Sequence, residues 1–481
     1  MVATPIANAT MAFTRFGLGP RFDLPANDRA AIMADPRSAL KAELLPSNAA
    51  LQGSELTSTK DVLTAYFMAQ QQLKMLRDQM SPNMAQASNM AETAPTQMAN
   101  SSIADAKAAR QQVKREAIAT ESQARFQKAF DSKTGFVERL VYFWSNHFCV
   151  SANKGGIAAV AAGSFEREAI RPFVFGKFAD MLLAVEQHPA MLFYLDNRDS
   201  MGPNSKAGQN RKKGLNENLA REIMELHTLG VKGGYNQADV TFLARMITGW
   251  TFPGINNKNA GSAVFTFNAN AHEPGASKLL GKSYDQQGIA QGETALRDLA
   301  RHPATATHIA FKFARHFVAD DPPPQLVQKL TKNFQDSDGD LKALAITLLD
   351  DDSAWNTPAQ KLRSPQEYLL AANRALNLPP NNPQPLVNAL NTLGQPLWRP
   401  PGPNGHGDTQ EVWASPEGMK VRLSYAAQMG RQTQITGNPV DILGQTLGDS
   451  VSTETRQAVA RAESRQQALA LMLMSPEFQL R

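Results

Sequence analysis

Residues 216–230 read Asn-Glu-Asn-Leu-Ala-Arg-Glu-Ile-Met-Glu-Leu-His-Thr-Leu-Gly, and the period of their apolar side chains decides the class of fold. Leu219, Ile223, Leu226 and Gly230 recur at three- and four-residue spacing, which predicts an α-helix with one buried stripe. Asn216 is placed to cap its first amides, and Gly230 to end it in a left-handed conformation. At about 100° per residue, Asn218, Glu222 and Glu225 fall within roughly 60° of one another. Glu222 also borders Leu226 on the apolar stripe, where a carboxylate is costly. Glu217, Arg221 and Glu225 form a second row at four-residue spacing, the pattern of an ordinary surface ion-pair ladder.

The same period extends outward along the chain. Helical patterns cover 60–80, 103–130, 134–150, 288–301, 303–318, 324–335, 339–350 and 364–376, with two more helices near the end. The expected fold is mainly α, a large multi-helix orthogonal bundle forming a single domain over residues 1–481. Three stretches break the pattern. Residues 81–102 are low in large apolar residues other than Met and contain two prolines, and are expected to form a low-complexity mobile loop. Residues 251–285, with Phe252, Phe265 and Phe267 amid Gly, Asn and Ser, predict a β-rich insertion. Residues 378–415 read as a long Pro/Gly-rich loop.

Composition narrows the function classes. The 481 residues carry 49 basic against 44 acidic side chains, a formal charge of +5, and no Lys/Arg stripe interleaved with aromatics, so a nucleic-acid partner is not expected. Cys149 is the single cysteine, which excludes an internal disulfide and a multi-cysteine zinc site. No run of 18 apolar residues is present, so no membrane span is expected. The first residues lack the basic region and apolar core of a secretory signal. The expected compartment is the periplasm or the outside of the cell if a signal has been removed, and the cytoplasm otherwise.

Two roles are open to Glu222. It can be a half-buried carboxylate paired with an arginine from another helix, or it can form a functional pair with Glu225, since neighbouring carboxylates raise one another's pKa. In the second role the chemistry expected is hydrolysis of a glycan or related polymer. Glu222 would be the proton donor and Glu225 or Asp196 the second carboxylate, because glycoside cleavage needs two carboxyls about 5–9.5 Å apart. Asn146, His147, Asn218, Trp250 and His272 are the candidate substrate-binding residues, with Asn146, His147, Asn218, Glu222 and Glu225 lining one concave site between the 134–150 and 216–230 helices. No cofactor is required by this scheme. An alternative scheme holds a divalent metal such as Mn, Fe or Zn on Glu222, Glu225, His227 and either His147 or His272. Against it, Glu222-x-x-Glu225 lacks the Glu-x-x-His spacing of di-iron bundles, and His227 projects roughly 140° from Glu222 around the helix axis. A third reading is a non-enzymatic helical scaffold or partner of an exported protein. Serine nucleophile chemistry is disfavoured by the lack of a Gly-x-Ser-x-Gly elbow.

Several motifs recur in an order that resembles one bacterial family. They are Phe143-Trp-Ser-Asn-His-Phe148, His188-Pro-Ala-Met-Leu, Leu195-Asp-Asn, the 216–230 stretch itself, Leu243-Ala-Arg to Gly249-Trp, His302-Pro-Ala-Thr-Ala, Gly394-Gln-Pro and Ser475-Pro-Glu-Phe. Together they resemble the domain-of-unknown-function family numbered 1800, over almost the whole chain apart from the stretch near 81–102. The resemblance implies a large, mostly helical bacterial protein, often exported. It also implies a partner among the exported proteins encoded beside such family members, which look like alkaline-phosphatase or sulfatase relatives.

Overall fold

Proline opens many of the helices. In the computed structural model, which describes residues 10–86, 94–210, 214–253 and 264–481, Pro36–Ala42, Pro189–Tyr194, Pro303–Phe317, Pro365–Ala375, Pro416–Gln432 and Pro439–Leu447 all begin this way. A first-turn amide has no intrahelical acceptor, so the missing N–H of proline is not felt there, and its φ is already helical. The residue before each proline then caps the helix. Asp35, Ser364, Ser415 and Asn438 each accept a hydrogen bond from a first-turn amide. The two His-Pro-Ala motifs work identically: His188 Nδ1 accepts from Ala190 N at 3.1 Å, and His302 Nδ1 from Ala304 N at 3.2 Å.

The protein is mainly α with small β elements, and the β structure falls where the Phe- and Gly-rich stretch predicts it. β1 (Trp250–Thr251) pairs antiparallel with β2 (Thr266–Phe267), and β3 (Ser277–Leu279) with β4 (Lys282–Tyr284). Two expectations are corrected. Helices Thr59–Gln86 and Ala94–Asp131 run into the stretch expected to be a loop over 81–102. Its Ala, Met and Gln are strong helix formers; residues 87–93 lie outside the described residues. Likewise, helices Gln384–Thr392 and Gln410–Trp413 occupy part of 378–415.

One cluster of buried apolar side chains runs from Ala12 to Phe478. Near its centre the Phe136–His147 helix buries Trp144 completely, together with Phe136, Leu140 and Phe143. Charged groups are buried beside it. Arg171 forms a two-bond pair with Glu138 (2.8 and 2.9 Å) and also holds Glu166 at 3.0 Å, while Arg125 Nε lies 2.9 Å from Glu166. Such clusters are tolerated only when every charge is matched, because desolvating an ion is expensive.

Among the described residues, three helical turns are π rather than α: Ala12–Phe16, Glu166–Ile170 and Ile223–His227. Each contains a buried polar or charged residue, Arg15, Glu166 and His227 respectively. The 216–230 segment is therefore not one continuous α-helix. It is α over Asn218–Glu222 and π over Ile223–His227. Asn216 Oδ1 accepts from Asn218 N, and Gly230 has φ +81°, as the sequence leads one to expect. Leu226, however, is only half-buried.

Candidate functional site

The Pro303–Phe317 helix sets His308, Lys312 and His316 four residues apart, and so on one face. Ile309, Phe313 and Phe317 of the same helix are buried in the core. The polar face meets the last turn of the Phe136–His147 helix. Lys312 Nζ donates to His147 Nδ1 at 3.0 Å, and His147 Nε2 donates to the His227 carbonyl at 3.1 Å. Accepting at Nδ1 makes His147 the neutral Nε2–H tautomer. Burial, with the Lys312 ammonium adding to it, holds its pKa well below the ordinary value. Burial also brings Lys312 down to about 8. His308 Nε2 donates to the Leu226 carbonyl at 3.2 Å. Two carbonyls at the end of the π turn, which have no helical donor of their own, are thus satisfied by two imidazoles.

His227 turns the other way. Its Nδ1 donates to Glu186 Oε1 at 2.7 Å, and both side chains are buried, at 1% and 0% exposure. Glu186 is the last residue of the Phe178–Glu186 helix, a position where a carboxylate opposes the helix dipole. The pairing fixes the Nδ1–H tautomer of His227 and leaves its Nε2 as a lone pair with no hydrogen-bond partner among the described residues. Glu222 stands immediately before the π turn, half-buried, and its carboxylate also has no hydrogen-bond partner among the described residues. Burial raises its pKa; His227 and Arg221 oppose the rise, while Glu225 and Glu186 add to it. The Glu222 charge reaches Tyr194 and Cys149 as well, although burial is the main cause pushing the Cys149 thiol up to about 12.

The same Phe136–His147 helix also borders a cavity of about 90 Å³. Part of its wall is the segment from Pro396 to Asp408, clamped by Asn146. Asn146 Nδ2 donates to His406 O at 2.9 Å while its Oδ1 accepts from His406 N at 2.8 Å. Gly405 lets the chain pass: it has φ +81°, and a Cβ there would lie 2.5 Å from Asn146 O. His316 Nδ1 donates to Asp408 Oδ2 at 3.1 Å, and Lys361 Nζ lies 3.5 Å from Asp408 Oδ1. Burial opposes ionisation of Asp408, yet His316 and Lys361 hold its carboxyl well below the usual range. Burial lowers the pKa of His316, keeping the imidazole neutral.

The sequence model of the family described as protein of unknown function (DUF1800) matches residues 11–480. The chain belongs to that family. No curated protein and no solved structure matches it.

The structure brings some of the expected site residues of this DUF1800 protein together and separates others. Glu222 and Glu225 are both half-buried and close enough to act on one another. Asn146 and His147 are engaged with other partners, the 406 backbone and the Lys312–His227 link. Asn218 is exposed. Asp196 is exposed at φ +60° and pairs with Lys154 at 2.6 Å. Trp250 is completely buried, edge-on to Phe265, and cannot meet a substrate; its bulk serves the core. His272 is half-buried, with Nδ1 donating to Thr248 O at 3.0 Å and its ring against Phe267. For the metal alternative, both ring nitrogens of His147 are engaged, which removes it from a ligand set with Glu222 and Glu225. Among the described residues, no group of three or more His, Cys, Asp or Glu is arranged to hold a metal ion, and no helix is long and apolar enough to cross a membrane.

Glu186, His308, Lys312, His316 and Asp408 were not singled out by the sequence. Signals for four of them were present. His308, Lys312 and His316 keep four-residue spacing inside an apolar helix. Glu186 ends a helix whose apolar residues surround it, where a cation is the favourable choice.

Proposed function

We propose that this DUF1800 protein is a hydrolase working by acid–base chemistry, with Glu222 as proton donor and His227, oriented by Glu186, as proton acceptor. The observation that carries the reading is the contrast between two neighbours. Glu222 is a half-buried carboxyl with raised pKa and no hydrogen-bond partner among the described residues. His227 is fixed by a buried carboxylate in the tautomer that presents an unprotonated Nε2. A carboxyl that favours its protonated form beside an imidazole nitrogen with a free lone pair sets a proton donor next to a proton acceptor. The second carboxyl role, assigned to Glu225 or Asp196 from the sequence, passes in this reading to the Glu186–His227 pair, with Glu225 raising the pKa of Glu222.

A glycan or related polymer is the substrate class we infer. Glu222 and Glu225 are both partly exposed, where a chain too large for a closed cavity can reach them, and a protonated carboxyl is the acid that glycosidic cleavage calls for. The test is turnover on a panel of polysaccharides by the parent protein and by Glu222→Gln. The variant is expected to stay folded and lose about 10²-fold or more in kcat, the scale of a general acid. Unchanged turnover in the variant would remove Glu222 from the mechanism, and a parent inactive on every glycan would remove the substrate class.

A further inference from the structure

The cavity of about 90 Å³ beside the Phe136–His147 helix has no part in the chemistry proposed above. Four buried polar atoms on its lining residues have no hydrogen-bond partner among the described residues: Arg125 Nη1, Tyr142 Oη, Trp398 Nε1 and His316 Nε2. Arg125 and Tyr142 are 3% and 8% exposed, so bulk water does not serve them. Folded proteins leave few buried polar atoms unpaired, because each forfeits its hydration. Four such atoms, brought to one cavity by residues on three helices and a loop, form a site rather than a packing defect.

Their chemistry selects a ligand. The guanidinium and indole N–H groups can only donate, and the tyrosine hydroxyl can donate. His316 differs, because its Nδ1–H is committed to Asp408, and Nε2 is left as an acceptor. The lining carboxylates are already engaged: Glu166 with Arg125 and Arg171, Glu367 with Arg139 and Arg481, Asp408 with His316 and Lys361. What fits is a small anion rich in oxygen acceptors that also carries one proton. The space admits several water molecules, which is room for a tetrahedral oxyanion.

The backbone is bent to present one of these donors. Trp398 has φ +52°, a left-handed conformation that a bulky residue adopts only when its surroundings impose it. Ala152 N holds the Trp398 carbonyl at 2.8 Å. Gly163 leaves space for the indole, since a Cβ there would come 3.0 Å from its Cη2. Strain of this kind gathers at binding sites.

We infer that the cavity binds inorganic phosphate in a protonated form, with Arg125 Nη1, Trp398 Nε1 and Tyr142 Oη donating to its oxygens and His316 Nε2 accepting from its P–OH. The inference stands apart from the hydrolase reading and does not depend on it. Isothermal titration of the full-length protein at pH 7 with phosphate, sulfate, acetate and phenyl phosphate tests it. Phosphate is expected to bind saturably. Sulfate, which carries no proton at that pH, and acetate should bind at least about ten-fold more weakly, and so should phenyl phosphate, which is mostly unprotonated there. Tyr142→Phe and Trp398→Phe each remove one donor and keep the ring, and each should weaken phosphate about ten-fold or more. Glu222→Gln should leave phosphate affinity unchanged, which separates this site from the hydrolase centre. Absence of saturable phosphate binding by the parent protein, with water as the only occupant, would overturn the inference. So would equal affinity for sulfate, or unchanged affinity in both donor-deleted variants.

Discussion

Lys312 Nζ gives His147 Nδ1 a hydrogen bond at 3.0 Å, so one imidazole is held neutral by an ammonium that burial has itself weakened to a pKa of about 8. The pair sits at the junction of the Phe136–His147 and Pro303–Phe317 helices, and its energetics are readable in a titration. The unfolded lysine keeps its proton up to its ordinary value of 10.5. Between about 8 and 10.5 the unfolded chain therefore binds more protons than the native one, and this group makes stability rise with pH across that window. Below about 8 the native state carries the full cost of the desolvated cation. Lys312→Met is expected to melt at a higher temperature than the parent at pH 7, with the gain shrinking towards pH 10. Calorimetry at the two pH values checks this; a variant less stable by the same margin at both would show that the hydrogen bond outweighs burial.

Glu222 titrates with the opposite logic for an acid. Its folded pKa lies above the unfolded value of 4.5, so the native state favours the protonated carboxyl. The stability it contributes is present below about 4.5 and is lost as pH rises through the folded value. Glu222→Gln is therefore expected to raise the melting temperature at pH 7 and to leave it unchanged near pH 4. A gain in stability accompanied by loss of turnover is the signature of a group retained for activity.

Glu186 separates orientation from simple filling of space. Glu186→Gln keeps the shape and can still accept from His227 Nδ1, so stability should change little while turnover falls about 10²-fold. Glu186→Ala leaves the buried Nδ1–H of His227 without a partner and should cost about 1–3 kcal/mol for that group alone. Urea unfolding of both variants gives the comparison; equal losses of stability would reduce Glu186 to a packing role.

Arg171 holds Glu138 and Glu166 in a place where none of the three is more than 3% exposed. Arg171→Met should destabilise the protein by about 3–5 kcal/mol, because it leaves buried carboxylates uncompensated. Adding Glu138→Gln to that variant should recover part of the loss, and a double-mutant cycle by equilibrium unfolding measures how much.

The mainly helical class was legible because apolar period and helix starts agree: proline in the first turn, a capping side chain before it, and stripes such as Ile309, Phe313 and Phe317. Long-range pairing was not. Glu222 drew notice as a carboxylate beside an apolar stripe, and it does lie half-buried with a raised pKa. Its neighbour Glu186 is 36 positions earlier in the chain, and nothing local announces that the two meet around His227. The π turn hid the rest. Leu219 and Ile223 satisfy an α and a π continuation equally, so the change shows only downstream, where Leu226 is half-exposed and His227 is buried. Trp250 misled for a simpler reason: an indole next to a glycine-rich turn looks the same in sequence whether it faces solvent or fills the core.

The three π turns make the number of residues at those points as consequential as their identity. A π turn amounts to an α-helix that has accepted one extra residue. Deleting one residue from Ile223–His227 would leave a longer, more regular helix and rotate everything after it by about 100°. His227 would then leave Glu186, and the Leu226 and His227 carbonyls would leave His308 and His147, with no side chain having been substituted. In an exposed loop the same deletion would be absorbed. Where relatives of this chain are aligned, a gap placed at 12–16, 166–170 or 223–227 is thus a statement about which partners meet in the folded molecule, and length variation there marks divergence of chemistry before any change of sequence does.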